Sequence, residues 1–198
     1  WVVLLAAATL TFSACNNDDD ALATPQLNSN DQAFMRMAVM GNNAEIQTSR
    51  LALTRSQDTA VRNYAQMMIN HHTAANRSLD SLARLRSFTL PDSSQLDTAA
   101  RSLLTRLNNL RDSVSTGGTG TAADRSVFSR EYMNGQVTLH SKAQGDYQTY
   151  VNNQQGQDAG LKTYANRTLP IITSHLQMAQ TIVSRNQYGQ PGTPPSGQ

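Results

Sequence analysis

Through residues 31 to 185 the apolar side chains recur at three- and four-residue intervals, and the alternation of a half-buried strand is nearly absent. A chain patterned this way has to bury its apolar surface helix against helix. The periodicity predicts long helices over about residues 31–55, 58–87, 122–153 and 158–185, and a shorter amphipathic helix over about 94–114. Thr89-Leu90-Pro91 closes the second helix, because proline lacks an N–H and clashes with the preceding turn. STGGTGT reads as a loop, with Thr121 and Asp124 spaced as a cap for the next helix. QQGQDAG makes the last turn. Two long hairpins joined by a crossover predict an all-α, ferritin-like antiparallel four-helix bundle with the short helix in the crossover. A faint internal echo agrees: Tyr64-Ala65 matches Tyr164-Ala165, and Phe34 with Gly41 matches Phe128 with Gly135.

Helical wheels locate the polar residues on this frame. Stepping about 100° per residue, His72 shares a line with Val61, Ala65, Met68, Leu79 and Ala83, and its neighbour His71 falls at the edge of that stripe beside Tyr64. His175 lines up with Tyr164, Ile171, Met178, Ala179 and Ile182, His140 with Met133, Tyr147 and Val151, and Glu45 with Phe34, Ala38, Gly41 and Ala52. Each long helix therefore carries one ionisable residue near its middle on the core face, and antiparallel packing predicts that the four share a layer. Only one other glutamate exists, Glu131, which falls about 180° from His140 and is expected at the surface. Pro170 lies inside the last helix and is expected to kink it or start it anew, which shifts the phase of the residues before it relative to His175.

A single histidine on an apolar face is more often a hydrogen-bonded core residue than a ligand. Four converging ionisable groups need either a shared ion or complete mutual satisfaction. Two readings stay open: a metal site built from Glu45, His72, His140 and His175, or a metal-free polar network that fixes helix register. The donor set suits one transition-metal ion, Zn, Cu, Fe or Mn. Around it His71, Tyr64, Tyr147 and Tyr164 are placed as residues able to hydrogen-bond the ligands. Met67, Met68, Met133 and Met178 are soft enough for Cu(I), although methionine at helical spacing is commonly core filler.

The ends carry address information. WVVLLAAATLTFSAC is an apolar run too short to span a bilayer; with no initiator Met or positive n-region before it, residues 1–14 read as a truncated secretory signal. Phe12-Ser13-Ala14-Cys15 is similar to a bacterial lipobox, with Phe12 where Leu is usual, and this makes Cys15 the expected lipidation site. Residues 15–30 read as a flexible tether, residues 31–186 as the bundle domain, and residues 187–198 as a disordered Pro/Gly tail. The expected location is the bacterial envelope, as an outer-membrane lipoprotein facing the periplasm or the cell surface, held to the membrane by its lipid. Charged residues make up 15% and the net charge of +2 is spread without a basic cluster, so nucleic acid is not an expected partner. Nucleophile elbow, phosphate loop and CxxC motifs are absent, which leaves hydrolase, nucleotide and thiol-redox readings unsupported.

The segments DQAFMRMAVMGNNAEIQTSRLAL, VRNYAQMMINHH, EYMNGQVTLH and YANRTLPIITSHL, in this order, resemble the bacterial envelope family called domain of unknown function 4142. That resemblance implies a ferritin-like four-helix bundle and no settled biochemical function. The family's second helix usually reads Met-x-x-Asp-His, and here His71 stands at the Asp position. MMINHH is also similar to the Met-x-x-His-His helix of domain of unknown function 305, a family associated with copper. The Glu-x-x-His pairs of di-iron ferritins are missing, since Thr48 stands three residues after Glu45 and Ile69 three before His72; iron storage is therefore not expected. The leading expectation is an envelope protein that binds a metal ion for sequestration or stress tolerance. The alternatives are a structural or interaction module without metal, and a mononuclear metal oxidoreductase; enzymatic activity is not expected on the first two readings.

Overall fold

The computed structural model describes residues 26–110, 122–152, 156 and 158–185, the first turn of the helix beginning at Ala122 by its backbone alone. The signal segment, Cys15, most of the tether, the cap at Thr121 and the C-terminal tail lie outside the described residues.

Among the described residues the chain forms five helices and no strand: α1 Ser29–Arg55, α2 Thr59–Arg84, α3 Thr98–Asn109, α4 Ala122–Asn152 and α5 Ala159–Arg185. Short polar side chains start the helices. Asn28 accepts from the Asp31 N–H, Asp58 from Ala60 and Val61, Asp97 from Ala100, and Asp158 from Leu161. Each satisfies N–H groups that a helix start would otherwise leave unpaired. The bundle begins a little earlier than the sequence boundary at residue 31, because Leu27 is buried and Ser29 already lies in α1.

The pairing of helices follows from which residues touch. Asp31 meets Tyr150, and Ser49 meets Tyr132, so α1 and α4 run antiparallel. His71 and Tyr64 of α2 both meet His175, while Ser81 faces Gly160 across a groove, so α2 and α5 also run antiparallel. With α1/α2 and α4/α5 as hairpins, every neighbour in the ring is antiparallel, and the chain must travel the length of the bundle between α2 and α4. The α3 crossover makes that journey. It lies on α1 and α4, with Leu103 against Gly135, Arg106 paired to Glu131 at 2.6 Å and the Leu107 carbonyl accepting from Arg55. Gly135 permits this approach, since a Cβ there would strike the Leu103 side chain, whereas Gly41 has nothing within 4 Å of such a Cβ. The Phe/Gly echo in the sequence is thus a packing need at only one of its two places.

Two large apolar clusters fill the bundle, and a small third one, Ala44 with Leu96 and Ala100, joins α1 to the crossover. One gathers Phe34, Met35, Leu79, Tyr147, Tyr150 and Leu161 at the end where Asp31, Tyr150, Asp158 and Arg86 form a buried polar clamp. The other gathers Met68, Leu103, Leu107, Phe128, Tyr132 and Met133 at the opposite end. Between the two large clusters each of the four long helices carries a buried polar residue, Glu45, His72, His140 or His175, as the wheels predict. One wheel assignment changes. Ile171 is 45% exposed and Ile172 takes the core position. Helix α5 runs unbroken through Pro170, but its buried line passes through Ile172, His175, Leu176 and Ala179. Ile171 therefore turns toward the groove between α2 and α5.

Truncating Leu103 to alanine removes the main anchor of α3 and is expected to destabilise the protein by about 2–5 kcal/mol. Denaturant unfolding measures this. A loss well below 1 kcal/mol would mean that the crossover helix is not docked through this residue.

Candidate metal centre

Between the two apolar clusters, α2, α4 and α5 each place one histidine in the core. His72, His140 and His175 are 8%, 1% and 1% exposed, and one ring nitrogen of each lies within 4.8 Å of the others. Their ring centroids are 5.7, 5.5 and 5.3 Å apart, a nearly equilateral triangle.

In each ring one nitrogen is held from outside and the other lacks a protein partner. His72 Nδ1 lies 2.8 Å from Asn42 Oδ1, and its Nε2 is unpaired. His140 Nδ1 donates to the Gln136 carbonyl at 3.0 Å, one turn back on α4, and its Nε2 is unpaired. His175 Nε2 lies 2.8 Å from His71 Nδ1, and its own Nδ1 is unpaired. A carbonyl oxygen can only accept, so the proton of His140 sits on Nδ1 and Nε2 keeps its lone pair. An amide oxygen imposes the same tautomer on His72. Glu45 Oε2 and Gln136 Oε1 are buried and unpartnered as well. Clustered buried polar atoms without partners, in an otherwise well-paired core, call for an ion or ordered water.

Burial sets the charge states. It pushes His140 down to about 4, opposed by the hydrogen bond to the Gln136 carbonyl. His175 falls to about 3 through burial and then through His140 and His71, and His72 lies well below the usual histidine range for the same reasons. All three rings are neutral at physiological pH, the form in which imidazole ligates a metal. Burial lifts the Glu45 carboxyl up to about 8, despite a hydrogen bond from Gln136. Its approach to His140 Nδ1, 3.5 Å from Oε1, therefore joins two neutral groups and is not an ion pair.

The structure brings all four core-face residues into one layer, with Glu45 set apart from the three converging nitrogens. It faces the Nδ1 side of His140, opposite the free Nε2. His71 is exposed and bonds the ring of His175 directly. The Tyr64 hydroxyl donates to the His175 backbone carbonyl at 3.3 Å, not to its ring. Tyr164 reaches Asn42 and lies 3.3 Å from the Tyr147 hydroxyl, so Tyr147 is one step further out. Met68 and Met133 are sealed in the apolar cluster beyond the layer, with Met67 and Met178 packed on its edge. Sequence reasoning missed Asn42 and Gln136, although the wheel that placed Glu45 and His140 puts each within about 60° of them.

Space adjoins the triangle on two sides. A groove of about 830 Å³ between α2 and α5 has His71, His72 and His175 in its wall together with Tyr164, Arg167 and Ile171. A cavity of about 50 Å³ on the α1/α3/α4 side touches Glu45, His72 and His140.

A family model described as Domain of unknown function (DUF4142) matches residues 16–114 and 120–182. The chain belongs to this family. No curated protein and no solved structure matches it.

The raised Glu45 carboxyl has a measurable consequence. In the folded, metal-stripped protein it stays protonated up to about pH 8, whereas the unfolded chain releases its proton near 4.5. The unfolded state thus binds fewer protons through this window, and stability falls as pH rises through it. Replacing Glu45 by Gln removes that slope. The stability gained at pH 7.5 should exceed that gained at pH 5 by on the order of 3 kcal/mol. The depressed histidines act oppositely, losing stability as pH falls below about 6.5, and are common to both proteins. Paired denaturation curves in chelator test this, and equal gains at the two pH values would reject a buried neutral carboxyl.

Proposed function

We propose that this protein binds one transition-metal ion through His72 Nε2, His140 Nε2 and His175 Nδ1, and that it sequesters the ion in the bacterial envelope. The observation that carries the reading is the pairing pattern: three buried neutral imidazoles, each hydrogen-bonded on one nitrogen and unpaired on the other, in rings that bring one nitrogen each within 4.8 Å of the others. Three imidazoles and one open position match the three-ligand zinc arrangement. A tetrahedral ion needs ligand nitrogens about 3.3 Å apart, so the rings would close in modestly from their present spacing. Zinc, copper or iron suits imidazole better than manganese, which prefers carboxylate oxygen, and Glu45 stands apart from the three nitrogens. A network serving register alone would be expected to satisfy its own members. Five orphan atoms in one layer favour the ion.

The envelope assignment rests on the apolar segment ending in Phe12-Ser13-Ala14-Cys15, with the cysteine lipidated and residues beyond it leading to the bundle. Among the described residues no helix is long and apolar enough to cross a membrane, so the lipid would be the anchor. A second reading, redox chemistry on peroxide or superoxide at a single metal, draws on the groove that reaches His72 and His175. Turnover by the loaded protein above the rate of the free ion would support it.

Protein purified without chelator or a histidine tag is expected to carry close to one zinc, copper or iron per chain. The substitution His140→Ala should abolish that content while leaving the helical signal intact. Elemental analysis decides: a metal-free protein that also takes up none of these ions on titration ends the metal reading. Radiolabelled palmitate should enter the wild-type protein in a bacterial host and not the Cys15→Ser variant. Equal labelling of both would remove the lipid anchor at this residue.

A further inference from the structure

The His72 contact with Asn42 is the inner end of a longer chain of side-chain amides. Asn42 Nδ2 donates to Asn76 Oδ1 at 2.8 Å, Asn76 Nδ2 donates to Asn43 Oδ1 at 3.0 Å, and Asn43 Nδ2 donates to the backbone carbonyl of Asp92 at 3.0 Å. Asn42 and Asn43 are buried neighbours on α1, Asn76 lies one turn beyond His72 on α2, and Asp92 is in the connection leaving α2. Asparagine is a poor helix former, and its amide competes for backbone partners. Helix propensity therefore does not account for three of them meeting in mid-helix across α1 and α2.

The chain has a direction, and its outer end sets it. An asparagine amide is ambiguous on its own, because oxygen and nitrogen are nearly the same size. A backbone carbonyl is not ambiguous. Asp92 can only accept, so Asn43 must present its nitrogen there and its oxygen to Asn76. Asn76 must then turn its nitrogen to Asn43 and its oxygen to Asn42. Asn42 must turn its nitrogen to Asn76 and its oxygen to His72. The only donor that His72 can offer to that oxygen is Nδ1–H, which leaves the lone pair on Nε2.

We propose that Asn42, Asn76 and Asn43 act as positioning residues, a one-way amide relay from the Asp92 carbonyl that holds His72 in its Nδ1–H tautomer with Nε2 free for a metal ion. The consequence for binding rests on the metal reading above; the tautomer itself does not. Outer partners of this kind fix ring orientation and ligand basicity, and losing one typically weakens metal affinity by about 10- to 100-fold. The Asn76 side chain hydrogen-bonds Asn42 and Asn43 and not the ring of His72, so its effect on that ring travels through Asn42.

Long-range proton–nitrogen NMR on the nitrogen-15-labelled, metal-stripped full chain reads the tautomer of each ring, and Zn2+ or Co2+ titration reads affinity. Wild-type His72 should be Nδ1–H. In Asn76→Leu the Asn42 amide keeps the Tyr164 hydroxyl, which can donate or accept and so enforces neither orientation, and His72 should become a mixture of tautomers with zinc affinity reduced about 10- to 100-fold at unchanged stoichiometry. Asn43→Leu should behave alike and serves if Asn76→Leu does not fold. Adding Asn42→Asp to Asn76→Leu should restore both readouts, because either carboxylate oxygen accepts from Nδ1–H without guidance. An unchanged tautomer and affinity in both leucine variants would overturn the relay, as would a loss that Asn42→Asp fails to restore. If the wild-type chain binds no zinc while its tautomer still follows Asn76, the relay stands and the metal reading falls. If zinc binds and the tautomer ignores Asn76, the metal reading stands and the relay falls.

Discussion

A buried imidazole has two ring nitrogens to satisfy, and a bundle of four helices offers few groups to satisfy them. The central layer of this protein depends on how that shortage is met. His72, His140 and His175 each spend one nitrogen on a partner at the periphery: an amide on α1, a carbonyl on α4, and a second histidine on α2. The acceptors outside His72 and His140 leave the second nitrogen of each as a lone pair, whereas His175 shares its outer nitrogen with another imidazole, and either of the two can donate. Three buried ring nitrogens without a protein partner, in rings this close together, are satisfied once a cation or a water enters among them. The outer hydrogen bonds therefore do more than hold the rings. They decide which face of each ring is left reactive.

The two apolar clusters make this arrangement tolerable. Aromatic packing of Phe34 on Tyr150, with centroids 3.8 Å apart, and the Asp31–Tyr150–Asp158–Arg86 clamp tie one end of the bundle. Ser49 with Tyr132 and Ser56 with Ser129 tie the other. Between these ends the helices cannot easily slide, because a one-turn shift of α5, about 5.4 Å, would break the His71–His175 bond. Glu45 fits the same picture. With no cation beside it, burial holds it neutral, and it shares the layer with His140 as a weak dipole rather than a charge.

The fold was legible in the sequence because period-3.6 burial is a local signal: the wheels placed Glu45, His72, His140 and His175 inward, and all four are buried. The error at Ile171 has a physical origin. A wheel centres the stripe on the residue of interest, whereas α5 has an open groove on one side of His175 and packed neighbours on the other, so its buried line is off-centre. The separation of Glu45 from the three nitrogens was not legible, since a wheel gives direction but not the length or rotamer of a side chain. Asn42, Asn43 and Asn76 escaped notice for a different reason. Neutral amides look like surface filler in a chain whose polar face is largely Asn, Gln, Ser and Thr, and only their partners across α1 and α2 mark them as one connected network.

The crossover also takes on a role beyond connection. Its α3 helix closes the core over α4 through Leu103, and Asp97 and Ala100 of its first turn and cap border the cavity beside Glu45 and His140. The connection before α3 supplies the Asp92 carbonyl that orients Asn43, and the Ser93 carbonyl that accepts from Gln47. Two backbone carbonyls just after Pro91 are thus pinned to α1. Proline fixes its own φ and biases the residue before it toward extended backbone, so Leu90-Pro91 is a stiff place from which to present them. A chain that must run the length of the bundle to reach α4 passes this point in any case. Here the passage places an acceptor where the polarity of the amides, and through them the free nitrogen of His72, is decided.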